Sequence, residues 1–202
     1  MATVTALHPE RRDRVRVELD GAAWRTLPAA AVVAAGLRVG LPLDRDRARE
    51  LGRAVRRSEA LDAAGKALSH RDRSVAGLAA HLERKGVAPE ARSGAVETLS
   101  KLGFVDDGRF AASRAASLAR RGYGDEAIRF DLGEQGVGEE QIAIAVAGLE
   151  PELDRARALV ANAGMTVKTA RRLGAKGFSD ETIESAITLD ADQHHGVTYG
   201  DG

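Results

Sequence analysis

The chain contains no cysteine. Disulfide frameworks, thiolate metal sites and thiol nucleophiles are therefore excluded, and the composition suits a reducing cytoplasm. Aromatic residues are scarce as well, at 3% with a single Trp, so the 44% of residues that are hydrophobic are mostly Ala, Leu and Val. That mixture fills small helical cores better than a thick sandwich. No uncharged apolar stretch approaches the ~20 residues that span a bilayer, and Met1–Glu10 lacks the basic start and apolar run of a signal peptide. No membrane partner is expected. An excess of charge is also missing, because 30 Lys and Arg balance 30 Asp and Glu. A freestanding DNA-binding protein usually carries a basic surplus to neutralise phosphates, so any nucleic-acid contact should be local or supplied through a protein partner. Residues 1–75 hold 15 basic and 10 acidic residues, which leaves 15 and 20 for 76–202.

Pattern is what the chain does have. From Arg14 to Leu19 apolar Val15, Val17 and Leu19 alternate with polar residues, the period of a half-buried strand. Asp20-Gly21 marks a tight hairpin turn, leading to a second strand over Ala22–Leu27 with Trp24 as its largest apolar group. Pro28 opens a short helix through Val33, Gly36 ends it, and Leu37–Leu41 alternates again as a third short strand. From Asp44, placed to cap, the pattern becomes helical; the charge run Arg45–Arg57 is most simply a solvated helix face.

A repeat follows. Leu82-Glu-Arg-Lys-Gly86-Val87, Leu132-Gly-Glu-Gln-Gly136-Val137 and Leu173-Gly-Ala-Lys-Gly177-Phe178 share one pattern, continued by Glu90, Glu140 and Glu181, by Ala95, Ala145 and Ala186, and by Val96, Val146 and Ile187. The spacings of 50 and 41 residues suit a repeated supersecondary unit. In each, a helix ends at the glycine in a left-handed stop onto which the next apolar residue folds back. A second helix then starts within about three residues, signalled by Pro89, by Glu139-Glu140 and by Ser179-Asp180-Glu181 with Ser179 as cap. A helix before each pair, over 61–69, 110–121 and 154–163, completes a three-helix unit. The expected fold is mainly α: an N-terminal hairpin and helix domain over 1–57, repeats over 58–103, 104–150 and 151–190, and a loose tail over 191–202. Such modules would stack into an elongated, curved solenoid. The first repeat departs from the pattern, with Arg92 where the others have Ile142 and Ile183.

Catalytic and cofactor chemistry finds little support. Asp106-Asp107 precedes a helix and reads as a cap, not as an acid–base pair. Gly122-Tyr123-Gly124 lacks the Gly-Lys-Ser/Thr ending of a phosphate loop and reads as a turn between helices. The histidines at positions 8, 70, 81, 194 and 195 are scattered, so no metal site is expected. Ser74 and Ser113 have no evident base to activate them. Trp24 and Tyr123 could stack on bases, but single aromatics in a hairpin or turn belong more often to a core.

These residues resemble a known family, the RecX regulatory proteins of bacteria, which modulate the recombinase RecA. The resemblance covers about residues 58–189. It rests on Arg73-Ser74 with Leu78, Leu82 and Lys85-Gly86; on Leu102-Gly-Phe-Val-Asp106-Asp107-x-Arg109-Phe110-Ala111; on Gly122-x-Gly124 with Ile128 and Leu132; and on the repeat register. It implies a non-enzymatic monomer without cofactor or metal that binds the groove of the RecA filament, meets single-stranded DNA indirectly through it, and suppresses ATP hydrolysis and strand exchange. It also favours a partner-binding role over mere solubility for Arg109, Arg114, Arg120 and Arg121, with Arg129, Arg84, Lys85, Arg171, Arg172 and Lys176 as further candidates. The acidic residues Asp125, Glu126, Asp131 and Glu134 set this chain apart from relatives that are strongly basic in the second repeat. The rival reading is a helix-turn-helix protein that binds DNA on its own.

Overall fold

The computed structural model describes the backbone of residues 2–192 and side chains to residue 188; His194, His195 and the expected tail beyond Asp192 lie outside it. The chain divides into two compact units, one of residues 1–73 with 77–105, the other of Ser74–Ala76 with Asp106 onward.

The first unit opens with an antiparallel sheet in the order β3-β2-β1-β4, formed by β1 (Ala2–Glu10), β2 (Arg14–Leu19), β3 (Ala22–Pro28) and β4 (Pro42–Leu43). The hairpin at Asp20-Gly21 forms as expected, with φ values of 49° and 81°. Strand β1 was not expected. Its turn into β2 uses Arg12 and Asp13 at φ 61° and 52°, with no glycine, asparagine or proline to announce it. The expected strand over Leu37–Leu41 is instead a turn: Leu37 and Leu41 drop into the core, Val4 N–H donates to the Leu41 carbonyl at 3.0 Å, and β4 follows at Pro42. Trp24 also departs from expectation. It is 39% exposed at a register shift of edge strand β3, and the core beneath the sheet is built from Val4, Val17, Leu27, Val32, Leu37, Leu41 and Leu51.

Helix α1 (Ala29–Ala34) packs on α2 (Arg45–His70), a single 26-residue helix whose cap Asp44 accepts from Asp46 and Arg47 N–H at 3.1 and 2.8 Å. The helix expected over 61–69 is its second half. Next come α3 (Val75–Arg84) and α4 (Pro89–Lys101), and α4 packs on α2 through Ala60, Ala91 and Ala95. Arg92 reaches Glu83 in an ion pair of 2.8 Å, where the equivalent Ile142 and Ile183 are buried in their cores.

The second unit contains two further three-helix groups. Helices α5 (Asp107–Arg120), α6 (Asp125–Glu134) and α7 (Glu139–Ala147) enclose Ala111, Ala115, Leu118, Ile128, Leu132 and Ile142. Helices α8 (Glu152–Ala163), α9 (Val167–Ala175) and α10 (Asp180–Asp192) enclose Ala156, Val160, Leu173, Phe178 and Ala186. The glycine stop recurs in all three repeats: Gly86, Gly136 and Gly177 have φ of 76°, 72° and 76°, and the N–H of Val87, Val137 and Phe178 donates to the carbonyl of Leu82, Leu132 and Leu173 at 3.1, 3.1 and 3.2 Å. Asp106 caps α5 by accepting from Arg109 N–H at 2.8 Å, and Ser179 accepts from Thr182 N–H at 3.2 Å. Asp107 does something its position did not suggest, accepting from Val75 N–H at 2.8 Å.

Candidate functional site

Within the second unit, one kind of junction occurs twice. The first residues of α6 sit on the glycine turn after α9: Gly124 N–H donates to the Lys176 carbonyl at 2.8 Å and Glu126 N–H to the Gly177 carbonyl at 3.2 Å. In the same repeat register, the buried Ser74 hydroxyl donates to the carbonyl of Gln135, beside the turn at Gly136. The acceptor stays in place while the donor changes from a backbone N–H to a side-chain hydroxyl.

Two charged side chains lock the α6–α9 junction. Arg155, 9% exposed, donates to the Glu150 carbonyl at 2.9 Å, to the Tyr123 carbonyl at 2.8 Å and to the Asp125 carboxylate. Its charge is neutralised and each of its three nitrogens donates a hydrogen bond, as a buried guanidinium requires. Glu152 accepts from Asp125 N–H at 2.7 Å, from the Thr182 hydroxyl at 2.8 Å and from the Ser179 hydroxyl at 3.2 Å. Partial burial would push its carboxyl up, but these bonds outweigh it and hold the group below the ordinary glutamate range.

This junction fixes a cationic hollow. Arg120, Arg121, Arg172 and Lys176, from the end of α5 and from α9 and its exit, line a cavity of about 140 Å³ with Gly122, Leu159, Ala163, Thr169 and Leu173. Tyr123 forms a platform beside it: Lys176 Nζ lies 3.7 Å from the ring centroid and the Arg121 guanidinium 5.4 Å. The tyrosine also packs against the α5–α7 core. Elsewhere in the unit Arg114, Arg155 and Arg157 are held by Asp131, Asp125 and Asp154. None of the four lining cations forms an ion pair among the described residues. The unit carries many carboxylates, yet these four cations gather here around one small cavity.

The other sequence candidates are placed differently. Arg114 makes a bidentate pair with Asp131, Nε to Oδ2 at 2.8 Å and Nη2 to Oδ1 at 2.7 Å, tying α5 to α6; that hydrogen bonding raises its pKa. Arg109 is exposed in the first turn of α5, Arg129 on α6 and Arg171 on α9. Arg84 and Lys85 belong to the first unit, at the end of α3. In the charge run, Arg53, Arg56 and Arg57 line a groove of about 780 Å³ shared with Glu50, Glu90 and Glu97, so opposite charges offset one another there.

Sequence reasoning named Arg84 and Lys85 but missed the basic group that they join in the first unit. Arg71, Arg73, His81, Arg84 and Lys85 lie close enough that burial, followed by the charges of Arg73, Arg84, Lys85 and Arg71, holds the His81 ring below its ordinary pKa. Arg71-Asp72-Arg73 beside His70 was the available signal, but the intervening aspartate hid it.

Comparison with known proteins agrees with this architecture. The family model for the second three-helix domain of RecX matches residues 106–146, the span of α5 and α6 and most of α7. The regulatory protein RecX of Xanthomonas campestris pv. campestris (strain B100) is 34% identical over 133 residues, covering 61% of this chain and 82% of that protein. The chain belongs to the RecX family. Regulatory protein RecX of Stenotrophomonas maltophilia (strain R551-3) is 32% identical over 135 residues, with 62% and 83% coverage. A crystal structure of a regulatory protein RecX superimposes with a TM-score of 0.79 at 21% identity, covering 91% of this chain and 98% of the other. RecX from Lactobacillus salivarius gives 0.60 at 18% identity, with 68% and 97% coverage. The mainly helical fold of tandem three-helix repeats is thus the RecX fold. No helix among the described residues is long and apolar enough to cross a membrane.

Proposed function

We propose that this protein is a cytoplasmic, non-enzymatic regulator that binds the RecA–single-stranded DNA filament as a monomer and suppresses its ATP hydrolysis and strand exchange. Family membership supports the partner. The observation that carries the contact is the hollow between α5, α8 and α9, where Arg120, Arg121, Arg172 and Lys176 converge without carboxylate partners among the described residues. Cations held on a rigid junction meet phosphates or acidic side chains with little further ordering cost. Arg109, Arg129 and Arg171 are exposed outside the hollow, whereas Arg114 serves it by holding α5 on α6.

The test is to titrate the protein into RecA filaments on single-stranded DNA, following ATP hydrolysis beside a control without RecA. Inhibition well below one protein per RecA is the expected result. Replacing Arg120, Arg121, Arg172 and Lys176 together by Ala should weaken filament binding by at least tenfold and lower its salt slope by roughly 0.7 for each phosphate no longer neutralised. No effect on ATP hydrolysis, together with tight salt-dependent binding to bare DNA, would replace this reading with that of a stand-alone DNA-binding protein.

A further inference from the structure

The first unit contains a larger charged pocket that the filament reading does not use. It runs along one stripe of α2, where Glu59, Asp62, Lys66 and His70 succeed one another at helical spacing, and spans about 16 Å at ~1.5 Å per residue. Arg73, His81 and Lys85 close its far end, Arg14 of β2 adds a further cation, and Ala63, Ala67 and Val87 form an apolar floor. Its volume of about 570 Å³ falls in the range of small-molecule sites.

The charge is arranged by sign. His70, Arg73, His81 and Lys85 gather toward one end, Lys66 stands about one turn from both His70 and Asp62, and the lining carboxylates Glu59 and Asp62 lie two to three helical turns from His70 toward the other end of the α2 stripe. Neither carboxylate forms an ion pair with these cations among the described residues. The cations repel one another: burial and then the charges of Arg71 and Arg84 lower the Arg73 pKa, and Arg73 Nε is buried with no hydrogen-bond partner among the described residues. Like charges crowded on ordered helices cost free energy that an anion would return.

We propose that this pocket binds phosphoryl groups, with Lys66, His70, Arg73, His81 and Lys85 receiving the phosphate oxygens and Glu59 and Asp62 accepting hydrogen bonds from hydroxyl or amino groups. A nucleoside polyphosphate and a stretch of single-stranded nucleic acid both present that chemistry. His81 is the reporter. It faces Arg71, Arg73, Arg84 and Lys85 from its own helix and the preceding segment, with Lys66, His70, Glu59 and Asp62 on α2 and Arg14 on β2 lining the same pocket. A bound anion stabilises the protonated ring, so its pKa rises on binding, and by linkage binding tightens as pH falls through the range between the free and bound values.

The experiment uses the full chain without RecA, so its failure leaves the filament reading untouched. Histidine ring resonances are followed by NMR while inorganic tripolyphosphate, ATP or hexathymidylate is added at constant ionic strength. Saturable shifts at His70 and His81 are expected, with the His81 pKa rising and His8, paired with Glu18, unmoved. The double variant Lys66→Glu, Lys85→Glu should bind at least tenfold more weakly with an unchanged melting temperature. If charge reversal lowers that temperature, Lys66→Ala and Lys85→Ala replace it, each weakening binding several-fold. ATP that hexathymidylate cannot displace identifies a free nucleotide as ligand, and displacement identifies strand backbone; both support the site. Shifts no greater than sodium chloride produces, or undiminished binding in the lysine variants, overturn it.

Discussion

Gly124 approaches Gly177 so closely that a Cβ on Gly124 would stand 2.2 Å from the Gly177 carbonyl oxygen. The obstacle is backbone, so no rotamer change can relieve it. Gly124 has an ordinary φ of −81°, and its requirement for glycine comes from this neighbour, not from its own conformation. Gly124→Ala should therefore cost about 1–3 kcal/mol in the second unit, as overpacking does, and should spread α6 from the α9 turn. Thermal unfolding of the variant, with hydrogen exchange at the Gly124 and Glu126 amides, checks both effects.

Glu152 makes the same junction sensitive to acid. Its carboxyl sits below its ordinary value in the folded chain, so the stability it contributes is fully present above the unfolded glutamate pKa of about 4.3 and is lost as pH falls through the lower folded value. Glu152→Gln should flatten the fall in stability below about pH 4.3, measured by urea unfolding across an acid series. An equal slope in both proteins would mean that other carboxylates govern that range.

The repeats were legible because each glycine stop is written into the chain locally: a leucine, a glycine four residues later and an apolar residue after it specify one geometry wherever they occur. The cap at Asp106, the helix start after Asp44 and the α1 boundaries were legible for the same reason, whereas the unbroken run of α2 from Arg45 to His70 was not. What escaped depended on tertiary partners. β1 is held by pairing with β2 and β4, and its turn at Arg12-Asp13 has no distinctive composition. Leu37 and Leu41 alternate like a strand, but the Leu37 N–H donates to the Val32 carbonyl and the Leu41 carbonyl accepts from Val4. Among the candidate arginines, sequence could not separate Arg114 from Arg120, because only folding brings Asp131 to the first.

The sheet offers a direct contrast between two apolar residues. Val17 is fully buried on β2, whereas Trp24 stands at the edge on β3 with Arg25 5.9 Å from its ring. Val17→Ala should destabilise the first unit by about 2 kcal/mol through lost burial and the cavity left behind. Trp24→Ala, although it removes far more side chain, should cost no more than Val17→Ala, because it leaves no enclosed cavity at the sheet edge. Denaturant midpoints followed by circular dichroism decide the order, and a costlier tryptophan change would mean that edge strand β3 is covered in solution.

Arg114 and Arg121 lie on the same helix and its exit but should fail in opposite ways. Arg114→Ala leaves the partly buried Asp131 without its bidentate partner, so about 1–2 kcal/mol of stability should be lost while the salt slope of filament binding stays unchanged. Arg121 contributes its charge to the hollow and to the Tyr123 face, and among the described residues it has no carboxylate to lose. Arg121→Ala should leave the melting temperature within about 2 °C and weaken filament binding several-fold, with a shallower salt slope. Melting curves and binding isotherms at three salt concentrations separate the two residues. If Arg114→Ala alone flattened the slope, the contact surface would lie along the body of α5 and not at its end.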